Sequence, residues 1–212
     1  IDRPLAGRAT AALKADGTLE APRLHLSMRA DDLDADIRAG QLSADLLAMR
    51  DGPGWSFEGT GDASGLTWPG SPDLPDALAW TARGNIDDGA TRVAVERFTV
   101  QARDAELAAT GAVDLAGALR GHGTIQLTAR DLSRWRALAG LPLSGQLSVQ
   151  ADLAMAEDVA TAEIAGQTAA LSTGDTRLDA LLGPKVDIHA SVKRDAAGAL
   201  ALEGLKVTGA HL

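Results

Sequence analysis

Cysteine is absent from the 212 residues, which excludes a disulfide framework and any thiolate metal site. Tyrosine is absent too, and the other aromatics are only Phe57, Phe98, Trp55, Trp68, Trp80 and Trp135. Aliphatic walls without aromatic anchors suit soft, unspecific apolar contact better than a shaped small-molecule pocket. The same shortage leaves no aromatic girdles, which argues against an outer-membrane barrel. Lys and Arg number 20 against 29 Asp and Glu, for a net charge of -9. The basic residues are scattered, so no nucleic-acid partner is expected. No run of 18 apolar residues is present and no signal-peptide pattern is visible. The chain begins at Ile1 and reads as an excised or processed segment, so any membrane anchor is expected outside it.

What the chain does have is alternation. Leu143, Gly145, Leu147, Val149, Ala151 and Leu153 fall on one parity, and Ser144, Gln146, Ser148, Gln150 and Asp152 on the other. A period of two places all the apolar side chains of a β-strand on one face. The same pattern runs through Leu5–Ala15, with a hairpin expected at Asp16-Gly17. It continues with Leu24, Leu26, Met28 and Ala30, then with Leu33, Ala35, Ile37 and Ala39, read as a further strand. Leu107–Leu115, Leu119–Ala129 and Val186–Lys193 follow the same rule. The fold class expected is all-β: a long curled antiparallel sheet forming an open apolar groove, with two short helices. Residues 1–212 read as one elongated segment, and the proline-rich stretch 69–76 is the one place where a break is expected.

Two parity slips add curvature. Val93 and Val95 are odd while Phe98, Val100 and Ala102 are even, which predicts a β-bulge near Glu96-Arg97. A second slip separates Leu200–Gly204 from Leu205–Gly209. Gly121 and Gly123 lie on the apolar parity, where a missing side chain permits bending. One helix is predicted from the N-cap Asp131 through Leu132, Trp135 and Leu138 to the stop at Gly140 and Pro142. The other starts at Asp175, shows Leu178, Leu181 and Leu182 on one face, and ends at Gly183-Pro184. Trp135 reads as a core residue of its helix, and Trp55, Trp68 and Trp80 as a small satellite core around the proline loop.

The usual catalytic and ligand constellations fail. Asp32, Asp34 and Asp36 open like a calcium loop, but Ile37 stands where Gly is needed and Ser43 where Glu is needed. They read as the solvent face of a strand. His25, His122, His189 and His211 lack metal spacing. No G-x-S-x-G elbow occurs, and Gly59-x-Gly61 is not framed by a strand-to-helix turn. No catalytic residue, metal, cofactor or small-molecule substrate is therefore expected, and the reading is a non-enzyme.

The run Asp131-Leu132 through Leu138, Gly140, Leu143, Gly145 and Leu147 resembles the D-L … L-x-G-x-x-L-x-G-x-L idiom of the TamB family and wider AsmA-like proteins. Leu178-Asp179-Ala180-Leu181-Leu182-Gly183, followed by an alternating strand, is similar to another TamB phrase, and the segments Leu107–Leu115 and Leu119–Ala129 fit the same style. The resemblance is clearest over residues 100–212. It implies an internal fragment of a translocation and assembly module component: a periplasmic β-groove anchored in the inner membrane elsewhere in the chain. The implied partners are phospholipid acyl chains and a TamA-like outer-membrane barrel. The implied roles are lipid transport between the membranes and outer-membrane biogenesis, including autotransporter assembly and secretion.

On this reading the apolar parity supplies the groove lining. In the first half the candidates are Leu24, Leu26, Met28, Leu33 and Ile37; in the second they are Leu107, Val113, Leu115, Ile125, Leu127, Leu147, Val149, Leu153, Val186, Ile188 and Val192. The alternative is a structural or adhesive β-solenoid or sandwich, in which the same residues form a closed core and bind no lipid.

Overall fold

The computed structural model describes residues 6–34, 38–68, 75–117, 119–136, 140–157 and 159–209. The protein is all-β. Its contacts divide the chain into two compact units, Ile1–Arg103 and Asp104–Leu212. The stretch 69–76 falls inside the first, and its residues 69–74 lie outside the described ones.

The first unit holds β1 (Ala6–Gly17), β2 (Pro22–Asp34), β3 (Arg38–Asp51), β4 (Gly54–Ser64), β5 (Ala77–Asp87) and β6 (Arg92–Ala102). The second holds β7 (Ala105–Asp114), β8 (Arg120–Ala129), β9 (Ser144–Ala156), β10 (Val159–Ser172), β11 (Asp187–Arg194) and β12 (Leu200–Thr208), with helix α1 (Thr176–Leu182) between β10 and β11. In each unit the strands pair antiparallel in sequence order, an open meander.

Both expected bulges are present, one residue wide. Arg83 opposes Arg97 and Gly84 opposes Val95, which leaves Glu96 extra. Ser191 opposes Gly204 and Val192 opposes Leu202, which leaves Glu203 extra. In each case the added residue is a glutamate that meets a cation: Glu96 Oε2 is 3.2 Å from Arg83 Nε, and Glu203 Oε1 is 3.9 Å from Lys193 Nζ. Two further irregularities lie at Ala6/Arg8 against β2 and at Ala169/Ser172 against β9. Asp32 and Ala170, both with left-handed φ (54° and 52°), sit at these places.

Two local expectations are corrected. Leu33 and Ala39 do not share one strand: Leu33 is in β2, which ends at Asp34, Ala39 is in β3, which begins at Arg38, and the two residues pair, while 35–37, with Ala35 and Ile37, lie outside the described residues. The parity change after Ala30 reflects the left-handed Asp32 within β2. The first hairpin turns at Thr18–Ala21, beyond Asp16-Gly17, closed by Thr18 N to Ala21 O (3.4 Å) and Ala21 N to Thr18 Oγ1 (3.1 Å). The first helix opens as a 3-10 turn, Leu132–Trp135, and is still helical at Arg136, whose carbonyl accepts from Gly140 N at 2.9 Å; 137–139, including Leu138, lie outside the described residues. Its cap is as read, since Asp131 Oδ1 accepts from Ser133 N at 3.0 Å. Leu132 is its buried residue and Trp135 is half-buried. Arg134 Nε meets Asp104 Oδ2 at 2.7 Å, two buried atoms that answer each other.

Helix α1 follows its sequence signals closely. Asp175 caps it by accepting from Arg177 N (2.8 Å) and Leu178 N (3.2 Å), and Gly183, at φ 72°, ends it. Asp179 fastens it to the end of β10: its carboxylate accepts from Thr173 N (2.6 Å), Thr173 Oγ1 (2.7 Å) and Ser172 Oγ (2.8 Å). These bonds, the Thr173 backbone bond foremost, hold its pKa below the usual carboxylate value. Asp87, bonded first by the Thr91 hydroxyl, and Asp131, bonded first by the Ser133 hydroxyl, are lowered likewise.

A lowered carboxylate adds stability that is complete above its unfolded pKa, about 3.9, and is lost as pH falls through the lower folded value. Asp179→Asn is therefore expected to lower the urea midpoint at pH 7. The gap from the parent chain narrows as the pH drops from about 4 to 2. A gap of unchanged size at pH 2 would show that the Asp179 charge contributes nothing.

Candidate functional site

Directly opposed residues of an antiparallel pair share a face, so the registers can be read across the strands as rungs. In the second unit the end rung at the hairpin side is Val113, Gly121, Met155, Ala160, Arg194 and Leu200. The next is Gly111, Gly123, Leu153, Ala162, Val192 and Leu202. Ala109, Ile125, Ala151, Ile164, Ala190 and Leu205 follow, then Leu107, Leu127, Val149, Gly166, Ile188 and Val207. Ala105, Ala129, Leu147 and Thr168 form the rung at the far side. Across these rungs Arg194 is the only charged residue.

The first unit is built alike. Leu13, Leu26, Leu46, Gly59, Ala82 and Phe98 make one rung, and Ala11, Met28, Ala44, Gly61, Trp80 and Val100 the next. Leu24 lies on the rung of Ala15, Ala48, Phe57, Gly84 and Val95. Here the glycines seat aromatic rings. A Cβ on Gly59 would come within 2.6 Å of Leu46 Cδ2 and 3.0 Å of Trp80 Cζ3, one on Gly61 would strike the Trp80 indole, and one on Gly84 would lie 2.5 Å from Phe57 Cζ. Trp80 therefore lies flat along β4. Trp55 is at one end of that strand, and Trp68, whose Nε1 donates to Pro75 O at 2.8 Å, lies past the other. The three do not gather into the satellite core expected of them.

The opposite faces are polar and are joined across strands. Ser43 donates to Asp62 (2.7 Å), Thr124 to Asp152 (2.9 Å) and Ser191 to Glu163 (2.6 Å), and the Thr81 and Thr99 hydroxyls meet at 2.6 Å. His25 pairs with Asp45 on this side. Among the described residues no cluster of His, Asp or Glu could hold a metal ion. His211 and Asp36 lie outside the described residues.

The apolar faces are not covered. Among the described residues the buried hydrophobes are only Ala30, Ala39, Ala129, Leu132 and Val186, and no large side chain is fully buried. Leu13, Leu200, Leu202 and Leu205 are 70%, 74%, 59% and 60% exposed. The chain exposes 13702 Å². A globular monomer of 21.8 kDa exposes about 9,300 Å², and two separate globules of half that mass about 11,000 Å². In the second unit the face is concave. A depression of about 330 Å³ is lined from all six strands, by Val113, Gly121, Leu153, Met155, Ala160, Ala162, Val192, Arg194 and Leu200 among others. A flat sheet of that many strands would span about 24 Å and could not enclose one such depression. Gly111 and Gly123 oppose each other on the next rung, where a Cβ would lie 2.6 Å from His122 O or 2.8 Å from Thr110 O.

Most of the predicted lining residues are on these rungs: Leu24, Leu26 and Met28 in the first unit, and Leu107, Val113, Ile125, Leu127, Leu147, Val149, Leu153, Ile188 and Val192 in the second. Four are not. Ile37 lies outside the described residues. Leu33 pairs with Ala39 past the register shift at Asp32, beyond the rungs named above, with its Cδ2 2.9 Å from the position a Cβ on Gly7 would take. Leu115 is half exposed in the β7–β8 turn, beyond the sheet. Val186 stands opposite Thr168, its N–H donating to Thr168 Oγ1 (3.0 Å) and its carbonyl accepting from Thr168 N (2.9 Å), and it is buried, 3% exposed. The rungs also hold residues absent from that set: Met155, Ile164, Leu200, Leu202, Leu205 and Arg194. Arg194 simply continues the Val186, Ile188, Ala190, Val192 alternation by one more step.

Gly61→Val is expected to dislodge the Trp80 ring and to cost about 1–3 kcal/mol, as overpacking does. Urea denaturation of the variant measures it. An unchanged midpoint would mean that the indole does not rest on Gly61.

No protein-family model matches this chain, and neither a curated protein nor a solved structure matches it.

Proposed function

We propose that this chain is a section of a TamB-like, AsmA-like β-groove protein that holds phospholipid acyl chains along its uncovered apolar faces. The observation that carries the proposal is that two six-stranded apolar faces remain exposed, one of them curled around a depression. Soluble proteins rarely leave contiguous apolar surface beyond a few hundred Å² without a partner for it. Each methylene moved off water onto such a wall contributes up to about 0.8 kcal/mol without directional demand. A chain can therefore slide from rung to rung at little cost, as transport requires. The rungs offer almost no hydrogen-bonding side chains, which suits acyl chains better than a small polar substrate.

On this proposal the segment works in the periplasm as part of an inner-membrane-anchored protein, with a TamA-like barrel as the outer-membrane partner of the whole. Lipid transport, and through it outer-membrane protein assembly and secretion, is the role. The closed solenoid or sandwich reading requires a core, and the few buried hydrophobes speak against it.

A photo-crosslinking amino acid at Leu127, Val149 or Ile164, in chain produced in a diderm bacterium, is expected to trap phospholipid. The same probe at Gln126 or Gln150, on the polar face, traps none. Equal yields on both faces, or none on either, would end the proposal.

A further inference from the structure

The end rung of the second unit carries a cation where the rest of the face carries none. Arg194 stands opposite Ala160 and Leu200, among the residues that line the depression. Its side chain is exposed, with Nη2 3.6 Å from the position a Cβ on Gly198 would take in the β11–β12 turn. Among the described residues no carboxylate pairs with it. The nearest in sequence, Asp195, is occupied in closing the turn: its Oδ1 accepts from Ala199 N at 2.9 Å. Lys193 and Glu203 pair with each other on the other parity, 3.9 Å apart.

The first unit supplies an internal comparison. Its hairpin-side rung also has an arginine, Arg50, opposite Trp55, which in turn faces Ile86. There Arg50 Nη2 is 2.8 Å from Asp88 Oδ1, so its charge is already answered. The end cation is thus neutralised in the first unit and unpaired in the second.

We infer that Arg194 is a headgroup anchor: it holds the phosphate of a phospholipid at the hairpin end of the second unit while an acyl chain lies along the rungs behind it. The inference rests on the proposed acyl-binding function and names the polar half of the ligand. The 330 Å³ depression leaves room for a stretch of one acyl chain. A guanidinium is suited to phosphate because its planar fork donates two parallel hydrogen bonds. An unpaired charge beside an apolar wall selects amphiphiles that are anionic at one end and aliphatic at the other.

The test uses the 212-residue chain with two probes of equal chain length, monooleoyl phosphatidic acid and uncharged monoolein, each below its aggregation threshold. The parent chain is expected to bind the anionic probe about tenfold more tightly, with the preference shrinking as salt rises. Arg194→Ala abolishes the preference and leaves monoolein affinity within about twofold, Arg194→Glu inverts it, and Arg194→Lys keeps part of it. Arg50→Ala changes nothing. Inorganic phosphate at millimolar concentration does not compete, which separates a lipid headgroup from a free anion. Competition by inorganic phosphate as strong as by the lipid would overturn the inference, as would a preference that survives Arg194→Ala while the far-UV spectrum and melting profile are unchanged. Failure of both probes to bind the parent chain would overturn the acyl-binding function itself. Monoolein binding without headgroup preference would overturn only the anchor.

Discussion

Cross-strand register is the constraint on which the other features depend. Because side chains alternate with a period of two, a slip of one residue between any two strands would turn a whole apolar row to the other side. The rungs stay apolar across β1–β6 and across β7–β12 only because each hairpin holds its register, and because the bulges absorb extra residues where the parity changes. Glu96 and Glu203 show how this is done. Each is the residue without a partner, and each is a charge that pairs on the polar side, so that Phe98 and Val95, or Leu205 and Leu202, return to one face.

A sheet with one uncovered face has little core to stabilise it, so cohesion must come from within the sheet. Ladder hydrogen bonds and opposed side-chain pairs supply it, each pair contributing about 0.2–1 kcal/mol. Ser43 with Asp62, Thr81 with Thr99 and Thr124 with Asp152 are such pairs, all on the polar side. In the second unit the true burial is at the far end of the strands. There Leu132 of the 3-10 turn, Ala129, Val186, Thr168 and Thr173 are the buried residues, and Asp179 and the Asp104–Arg134 pair fix the connecting segments. The face is thus firm at the end carrying the long connections and exposed at the end carrying the tight hairpins. This asymmetry suits a surface that receives a flexible chain.

Glycine does two different things on these faces. In the first unit Gly59, Gly61 and Gly84 make room for rings that lie flat, so bulky aromatics smooth the wall and do not obstruct it. In the second, the opposed Gly111 and Gly123 let two strands approach on the inner side, where any Cβ would meet the partner's backbone. The first use preserves a surface and the second bends it. Alternation alone does not distinguish them, because both glycines sit on the same parity.

What the sequence determined by itself was local. The strand class, the side each residue takes, the two bulge sites, the caps Asp131 and Asp175 and the stop at Gly183 all follow from spacings of a few residues, which backbone sterics and short hydrogen bonds decide. The reading went astray where a single left-handed residue, Asp32, intervened, because the parity shift it produces looks like a new strand. Only the tertiary structure decided three further matters. It left the apolar faces uncovered, it buried Val186 against Thr168, and it set Arg194 unpaired on the same rung as Val113 and Met155 while Arg50 met Asp88. Each depends on the register and spacing that the strands take beside one another, which a period of two does not specify. Periodicity says which way a side chain points, but what stands opposite it is settled by the register of each strand against its neighbour.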